Sequence, residues 1–382
     1  MKNIVIRYLY IIVIIGLSIC CNNNQHRNDC ENIESFRPLI FKHIIQTGDI
    51  TNSIDSIKII NLSSEKCLLS MIKKMLILDN NNFVIMDKNG VYEFSSEGSF
   101  VRQYGGKGRG PNEYIALTDI SCVDGRLYIL DGMNKVLVFN TSNGKFVKNI
   151  TPVWDRQPRR QDGMAALASG GFYIFSANVN MEQDRAAQRC LYEFDANGRQ
   201  VASCIPCNSF TIPFAPTYQG VNNSTLLKPF NDEVIMRIDE NGVMPAYRLD
   251  FDGRFAPVTA LYKGGTADMK SYLNSNYYKN IVYISETENY LAFHATGPAQ
   301  SAYGYICNKS TGRGVVLQAQ DQRTIPTLFL CGDAEYLYFA LNIYNDRNLQ
   351  ERTDPLTKYI VQKTGYIHEE KNPTIVGVRF NF

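Results

Sequence analysis

VRQYGGKGRGPNEY, residues 101–114, packs four glycines, a proline and three basic side chains into one short stretch. Glycine beside that much positive charge first suggests a phosphate cradle. A Walker loop needs G-x-x-x-x-G-K-[ST] ahead of a helix. Here Gly106-Lys107 runs into Gly108, and no hydroxyl follows to hold magnesium. A dinucleotide fingerprint needs G-x-G-x-x-G opening a helix. Gly106, Gly108 and Gly110 have the wrong last spacing, and Ile115 to Val123 downstream reads as a strand. Nucleotide binding is therefore excluded, and the stretch reads as a turn-rich connection between strands. Glycines let the backbone turn and approach its neighbours, and Pro111 fixes the path into the next strand. Glu113 is placed to accept backbone N–H groups. A second reading stands beside this one: Lys107, Arg109 and Glu113 line the mouth of a channel and touch a ligand.

Working outward, the same pattern recurs. Short apolar, aromatic-rich runs begin at Phe83, Leu127, Phe172, Thr225, Leu291 and Leu337, separated by 44, 45, 53, 66 and 46 residues. Five are followed by a glycine turn, at Gly98, Gly144, Gly198, Gly242 and Gly312; Gly365 is a poor sixth. Apolar runs of this length bounded by turn signals fit buried strands. Asn-Gly and its relatives supply the positive φ of tight hairpins. A repeat of about 40–50 residues with about four strands per unit is the signature of propeller blades. Residues 54–382 divide into six units of about 55 residues. The expected fold is all-β: a six-bladed β-propeller of four-stranded antiparallel blades. Ile54–Ile60 is expected to pair with Thr374–Phe380 and close the ring, because closure removes exposed edges. A short helix is expected near 266–278, inside the longest gap.

The first 20 residues read as an export signal. Lys2 and Arg7 precede an apolar run from Tyr8 to Cys21, shorter than the ~18 residues of a spanning helix. Leu17-Ser-Ile-Cys20 is similar to the lipobox of bacterial lipoproteins, which makes Cys20 the lipidated residue and Cys21 the fallback; Ile19 departs from the small residue usual there. Residues 21–50 then form a tether and 51–382 the propeller. Without Lys2 and Arg7, 37 basic residues face 37 acidic ones. A neutral chain lacks the basic field a nucleic-acid partner needs.

The glycine stretch also carries a family resemblance. Gly98, Phe100, Gly106, Gly108, Gly110, Pro111, Glu113 and Tyr114 match the G-F/K-x strand followed by G-x-G-x-G-P-x-E-Y of the six-bladed β-propeller lipoproteins related to NHL-repeat proteins. The stretch from Asp124 to Val147 and the closing Asn372–Phe380 are similar to that family too. The resemblance implies a fold and a cell-envelope location, lipid-anchored on the periplasmic or cell-surface side. It implies no ligand.

Some relatives of that kind hold zinc with channel histidines or calcium with channel carboxylates. Four histidines are present, and only His294 and His368 fall in the propeller. His294 is read as a core or channel residue. Asp87, Asp131, Asp195 and Asp239 sit at the repeated turns, where aspartate usually closes an Asx-turn; calcium is the alternative. Of ten cysteines, Cys204 and Cys207 are the close pair outside the signal, read either as a local disulfide or as free thiols. Two loops carry anchors of the kind found at interfaces: Trp154 with Arg156 and Arg159, and Phe214 with Tyr218. The expected function is a membrane-tethered extracytoplasmic module that binds a carbohydrate, a peptide or an envelope protein, without a cofactor and without catalytic residues. The alternative is a metal-dependent lyase or lactonase working in the channel.

Overall fold

The computed structural model describes residues 37–42, 50–158, 160–176, 189–206, 217–229, 232–257, 271–272, 274–298, 301–318, 328–341, 355–365 and 371–382. Six antiparallel sheets form a ring of blades. Their innermost strands are Lys74–Ile77, Leu117–Val123, Gly163–Ala166, Thr217–Gln219, Lys279–Glu286 and Leu328–Gly332, which define blades 1 to 6.

The six repeated apolar runs are the second strands of the six blades. Each is buried on both sides, which is why it shows no polar alternation. Successive side chains of a strand point to opposite faces. In blade 2, Leu127 and Ile129 pack with blade 1, while Tyr128 and Leu130 pack with blade 3. The same division repeats around the ring, so each of the six hydrophobic clusters fills one blade–blade interface.

The five glycine turns connect third strands to fourth strands. Gly98, Gly144, Gly198, Gly242 and Gly312 all adopt positive φ, from +67° to +109°, where a Cβ is strained. Blade 6 needs no such turn because its fourth strand comes from the other end of the chain. Ile54–Asn61 pairs antiparallel with Thr374–Phe380, Ile54 opposite Phe380 and Asn61 opposite Thr374. Gly365 instead follows the helix Pro355–Thr364 with φ +63°, the left-handed residue that ends many helices. That helix lies between the second and third strands of blade 6 and buries Leu356 and Ile360 in the interface with blade 5. Of the helix expected near 266–278, Ser271 and Tyr272 are helical, while 274–277 are turn and bend and Tyr278 is in a bridge to Phe255; 266–270 and 273 lie outside the described residues.

Blade 4 has a fifth strand. Within the segment read as a tether, Leu39–Phe41 pairs parallel with Tyr247–Leu249 along the outer edge. Phe41 is fully buried, its ring 5.8 Å from that of Tyr247. This short strand covers an edge that would otherwise be open to pairing.

Candidate functional site

The glycine stretch crosses from the fourth strand of blade 1 to the first strand of blade 2. Gly106–Lys107 and Glu113–Tyr114 pair as a two-stranded parallel ribbon. Between them the Glu113 carboxylate accepts the Gly110 N–H at 2.7 Å. A side chain on Gly108 would collide with that carboxylate, and Gly105 turns the chain at φ +65°. Lys135 of blade 2 donates to the carbonyls of Gly110, at 3.4 Å, and Glu113. The glycines and Glu113 thus build the crossover itself. Lys107 and Arg109 are exposed on it.

The other predicted residues separate. Trp154 occupies the next crossover, between blades 2 and 3. Its Nε1–H donates to Asn134 Oδ1 at 2.6 Å, and its ring packs edge-on against Phe194 and Tyr192 at 4.7 and 5.3 Å. Arg156 is exposed. Arg159, Phe214, His368 and the lipidation candidates Cys20 and Cys21 lie outside the described residues. Tyr218 is buried on the inner strand of blade 4, where its hydroxyl accepts the Tyr283 N–H of blade 5 at 3.1 Å. His294 is buried, its ring edge-on to Phe329 at 5.1 Å and to Tyr283 at 5.6 Å.

The four turn aspartates serve the backbone. Asp87 accepts the N–H groups of Ser70, Asn89 and Gly90, at 3.1, 2.6 and 2.8 Å. Asp131 accepts those of Ile115, Ala116 and Met133. Asp195 and Asp239 close Asx-turns to Asn197 and Asn241. Among the described residues no three His, Cys, Asp or Glu side chains converge as metal ligands. Cys204 is in a disulfide, and Cys207 lies outside the described residues; Cys307 and Cys331 are free and buried, and the buried Cys190 donates through Sγ to the Ile205 carbonyl at 3.4 Å.

Sequence reasoning missed what fills the axis. Lys74, on the inner strand of blade 1, donates to Asp119 of blade 2 and to Thr217 of blade 4, both at 2.8 Å. Thr217 Oγ1 donates in turn to Asp119, which also accepts the Met164 N–H of blade 3 at 2.7 Å. Gln219 pairs with the backbone of Ile77 across the ring, accepting its N–H at 2.7 Å and donating to its carbonyl at 2.8 Å. Four blades are tied together at the axis, where the second reading of the glycine stretch placed a ligand channel. Burial pushes the Lys74 ammonium down, and Asp119 only partly restores it.

A second buried charge cluster joins blades 4 and 5. Glu286 receives Arg237 at 2.7 Å, Lys309 at 3.1 Å and the Tyr247 hydroxyl. Burial works to raise its carboxyl, and Arg237 with Lys309 and Tyr247 outweighs that, holding it below the usual range.

The described residues also line a cavity of about 370 Å³ at the seam between blades 6 and 1. Its apolar lining is Ile60, Ile77 and Phe83. The polar lining comes from separate elements. Lys58 stands on the closing strand, and Asn81 on the turn after the inner strand of blade 1. Ser96 and Glu97 lie on the glycine turn of that blade, and Asp333 on the first turn of blade 6. Asn81 holds φ +62°. Asp333 accepts the N–H groups of Glu335 and Tyr336 through Oδ1 and the Tyr338 hydroxyl through Oδ2, the last at 2.7 Å. Lys58 Nζ rests 3.6 Å above the Tyr336 ring centroid. Nothing in the sequence brings residues 58, 97 and 333 together except the ring closure.

These features define a six-bladed β-propeller whose axis is closed by polar side chains. The chain belongs to the family described as Domain of unknown function (DUF4934), whose model matches residues 46–379. A solved structure with a similar fold is that of a Bacteroides fragilis NCTC 9343 protein provisionally described as exported. Its TM-score is 0.70 at 20% identity, covering 91% of this chain and 100% of that one. Weaker similarities run to the extracellular domain of a one-component system from B. thetaiotaomicron (TM-score 0.36, 14% identity, 68% of this chain and 29% of that one). The WD40 repeats of RRP9 give a TM-score of 0.43 at 10% identity, covering 86% and 99%. No curated protein matches the chain in sequence. Among the described residues no helix is long and apolar enough to cross a membrane.

Proposed function

We propose that this protein is an exported, lipid-anchored propeller of the cell envelope, akin to the NHL-related lipoproteins. It acts as a binding module for a carbohydrate, a peptide or an envelope protein. The observation that carries the reading is the contrast inside the ring. Lys74, Asp119 and Thr217 satisfy one another at the axis, and Gln219 is satisfied there by the Ile77 backbone. The seam between blades 6 and 1 instead holds a cavity with polar groups at its rim. Two further observations support export: the signal-like segment ending at Cys20, and the exported description of the B. fragilis protein with the similar fold. The turn aspartates and His294, the groups a channel metal would draw on, are engaged by backbone amides or enclosed by aromatic rings, so no observation favours the metal-assisted reading.

Thermal unfolding of the full chain in detergent, with panels of glycans, envelope peptides and calcium, tests the proposal. A ligand at 100 times its Kd stabilises by about 2.7 kcal/mol. At about 2.1 cal/mol/K per residue that moves Tm by about 4 °C for ~330 residues. A shift with a glycan or peptide class supports a binding module. A shift with calcium alone, reversed by chelator, overturns it. Labelling with a palmitate analogue tests the anchor. Cys20→Ala is expected to abolish the label, and a label that survives it but is lost in Cys21→Ala moves the anchor to the fallback.

A further inference from the structure

We infer that the seam cavity between blades 6 and 1 is a site for a neutral sugar ring, such as the end of a glycan chain. This rests on the binding-module reading and gives it a ligand class. The lining decides the chemistry. Six of the nine side chains around the cavity are polar or charged. An apolar ligand would cover the exposed Lys58, Asn81 and Glu97 and take their charged and amide groups out of water, at a cost of kilocalories for each group. A charged ligand fares no better, because the cavity holds both signs: Lys58 against Glu97 and Asp333. An anion meets two carboxylates, and a cation meets an ammonium.

A neutral polyol satisfies both. Its hydroxyls donate to carboxylates and accept from the Lys58 ammonium and the Asn81 amide, and charge-assisted bonds of this kind are the stronger ones. Asp333 has capacity left for this. Its three hydrogen bonds leave about one of the roughly four acceptor sites of a carboxylate. The same hydrogen bonds hold it in place before any ligand arrives, so little ordering is required on binding. The half-buried Ile77 is the apolar group left to meet the C–H face of a pyranose, Phe83 and Ile60 being buried in the core. The aromatic part is fixed: Phe83 meets Tyr338 edge-on across the seam, with ring centroids 5.4 Å apart. A cavity of about 370 Å³ is at the small end of the ~300–1,000 Å³ range of small-molecule pockets. It accommodates a sugar ring and not a folded peptide loop.

The test is titration calorimetry of the full chain in detergent with methyl α-D-glucoside, methyl α-D-galactoside, methyl α-D-mannoside and N-acetylglucosamine, with sodium gluconate as the anionic control. At least one neutral sugar is expected to bind and gluconate is not. Lys58→Met, which keeps the stem and removes the ammonium, and Asp333→Asn are each expected to weaken binding about tenfold or more. Two variants are used because Asp333 also holds its own turn. Sugar binding unchanged in Lys58→Met overturns the location. Tighter binding of gluconate than of any neutral sugar overturns the ligand class. If no sugar binds but an envelope peptide raises Tm, the sugar site is wrong and the binding module stands. If neither acts, both readings fall.

Discussion

The axis of the ring and the seam between blades 6 and 1 are both lined by polar groups, yet they are built for opposite ends. At the axis a lysine, an aspartate, a threonine and a glutamine bond to each other and to inner-strand backbone. Bonds of this kind across the ring tie blade 1 to blade 4 and fix the inner strands relative to one another. At the seam, polar side chains of the closing strand and of three turns line a cavity. Polarity that is satisfied internally specifies structure; on our proposal, the polarity that lines the cavity serves a ligand. Substitutions at the two places should therefore act on different quantities.

The largest effect is expected at the axis. Asp119→Ala leaves Lys74 buried without its counter-charge, and breaking a buried pair on one side costs about 3–5 kcal/mol. For a chain of this size that lowers Tm by about 4–7 °C, read by thermal unfolding. A loss under 1 kcal/mol would mean that Lys74 finds water, and that the axis is open after all.

Next comes the charge cluster between blades 4 and 5. Glu286→Gln removes the acceptor charge for Arg237 and Lys309, and about 2 kcal/mol should be lost at pH 7. The pH dependence gives the sign. The Glu286 carboxyl is held below its ordinary value of 4.5. Its contribution is therefore fully present above that value and disappears as pH falls through the folded value. The gap in stability between the native chain and Glu286→Gln should narrow through the acid limb below about pH 4.5 and close at its bottom. A gap that stays constant with pH would show that packing, not charge, is what the substitution changes.

A smaller effect separates packing from recognition at Trp154. Trp154→Phe keeps the aromatic contacts with Phe194 and Tyr192 and removes the hydrogen bond to Asn134. That oxygen retains the Gln161 amide at 3.2 Å, so about 1 kcal/mol is expected. Capture of any ligand that raises Tm should be unchanged. A large loss of ligand response with stability intact would return Trp154 to the list of contact residues.

These contrasts explain what could be read from the chain and what could not. The blades were legible because each second strand is buried on both faces, which writes an unbroken apolar run such as Phe83–Met86. The third turn of blades 1 to 5 needs a positive φ, which writes a glycine. Even the missing sixth glycine was informative: blade 6 takes its fourth strand from Ile54–Asn61, so no turn exists there to need one. The axis was not legible, because Lys74, Asp119 and Thr217 are 45 to 143 residues apart. Their one local trace is a charged side chain set in an apolar strand, as in Lys74-Met-Leu-Ile77 and Leu117-Thr-Asp-Ile120. Glu113 and Trp154 drew attention for their chemistry, and the structure shows that chemistry serving Gly110 and Asn134. The strand Leu39–Phe41 was invisible for a different reason: three consecutive apolar residues carry no period.

The smallest expected effect on stability is the sharpest test of the contrast. Glu97 is fully exposed on the glycine turn of blade 1, and its nearest partner is the neighbouring Ser96 hydroxyl at 2.5 Å. Glu97→Gln removes a charge from the cavity rim and should leave Tm unchanged, as surface substitutions away from structural features usually do. If the seam recognises a ligand, the same change should weaken neutral-sugar affinity measurably, because a charged acceptor becomes a neutral one. Affinity and stability would then move independently at the seam, whereas at the axis Asp119→Ala moves stability and leaves the cavity lining untouched. A Glu97→Gln chain that binds the sugars as the native chain does would restrict the site to Lys58 and Asp333.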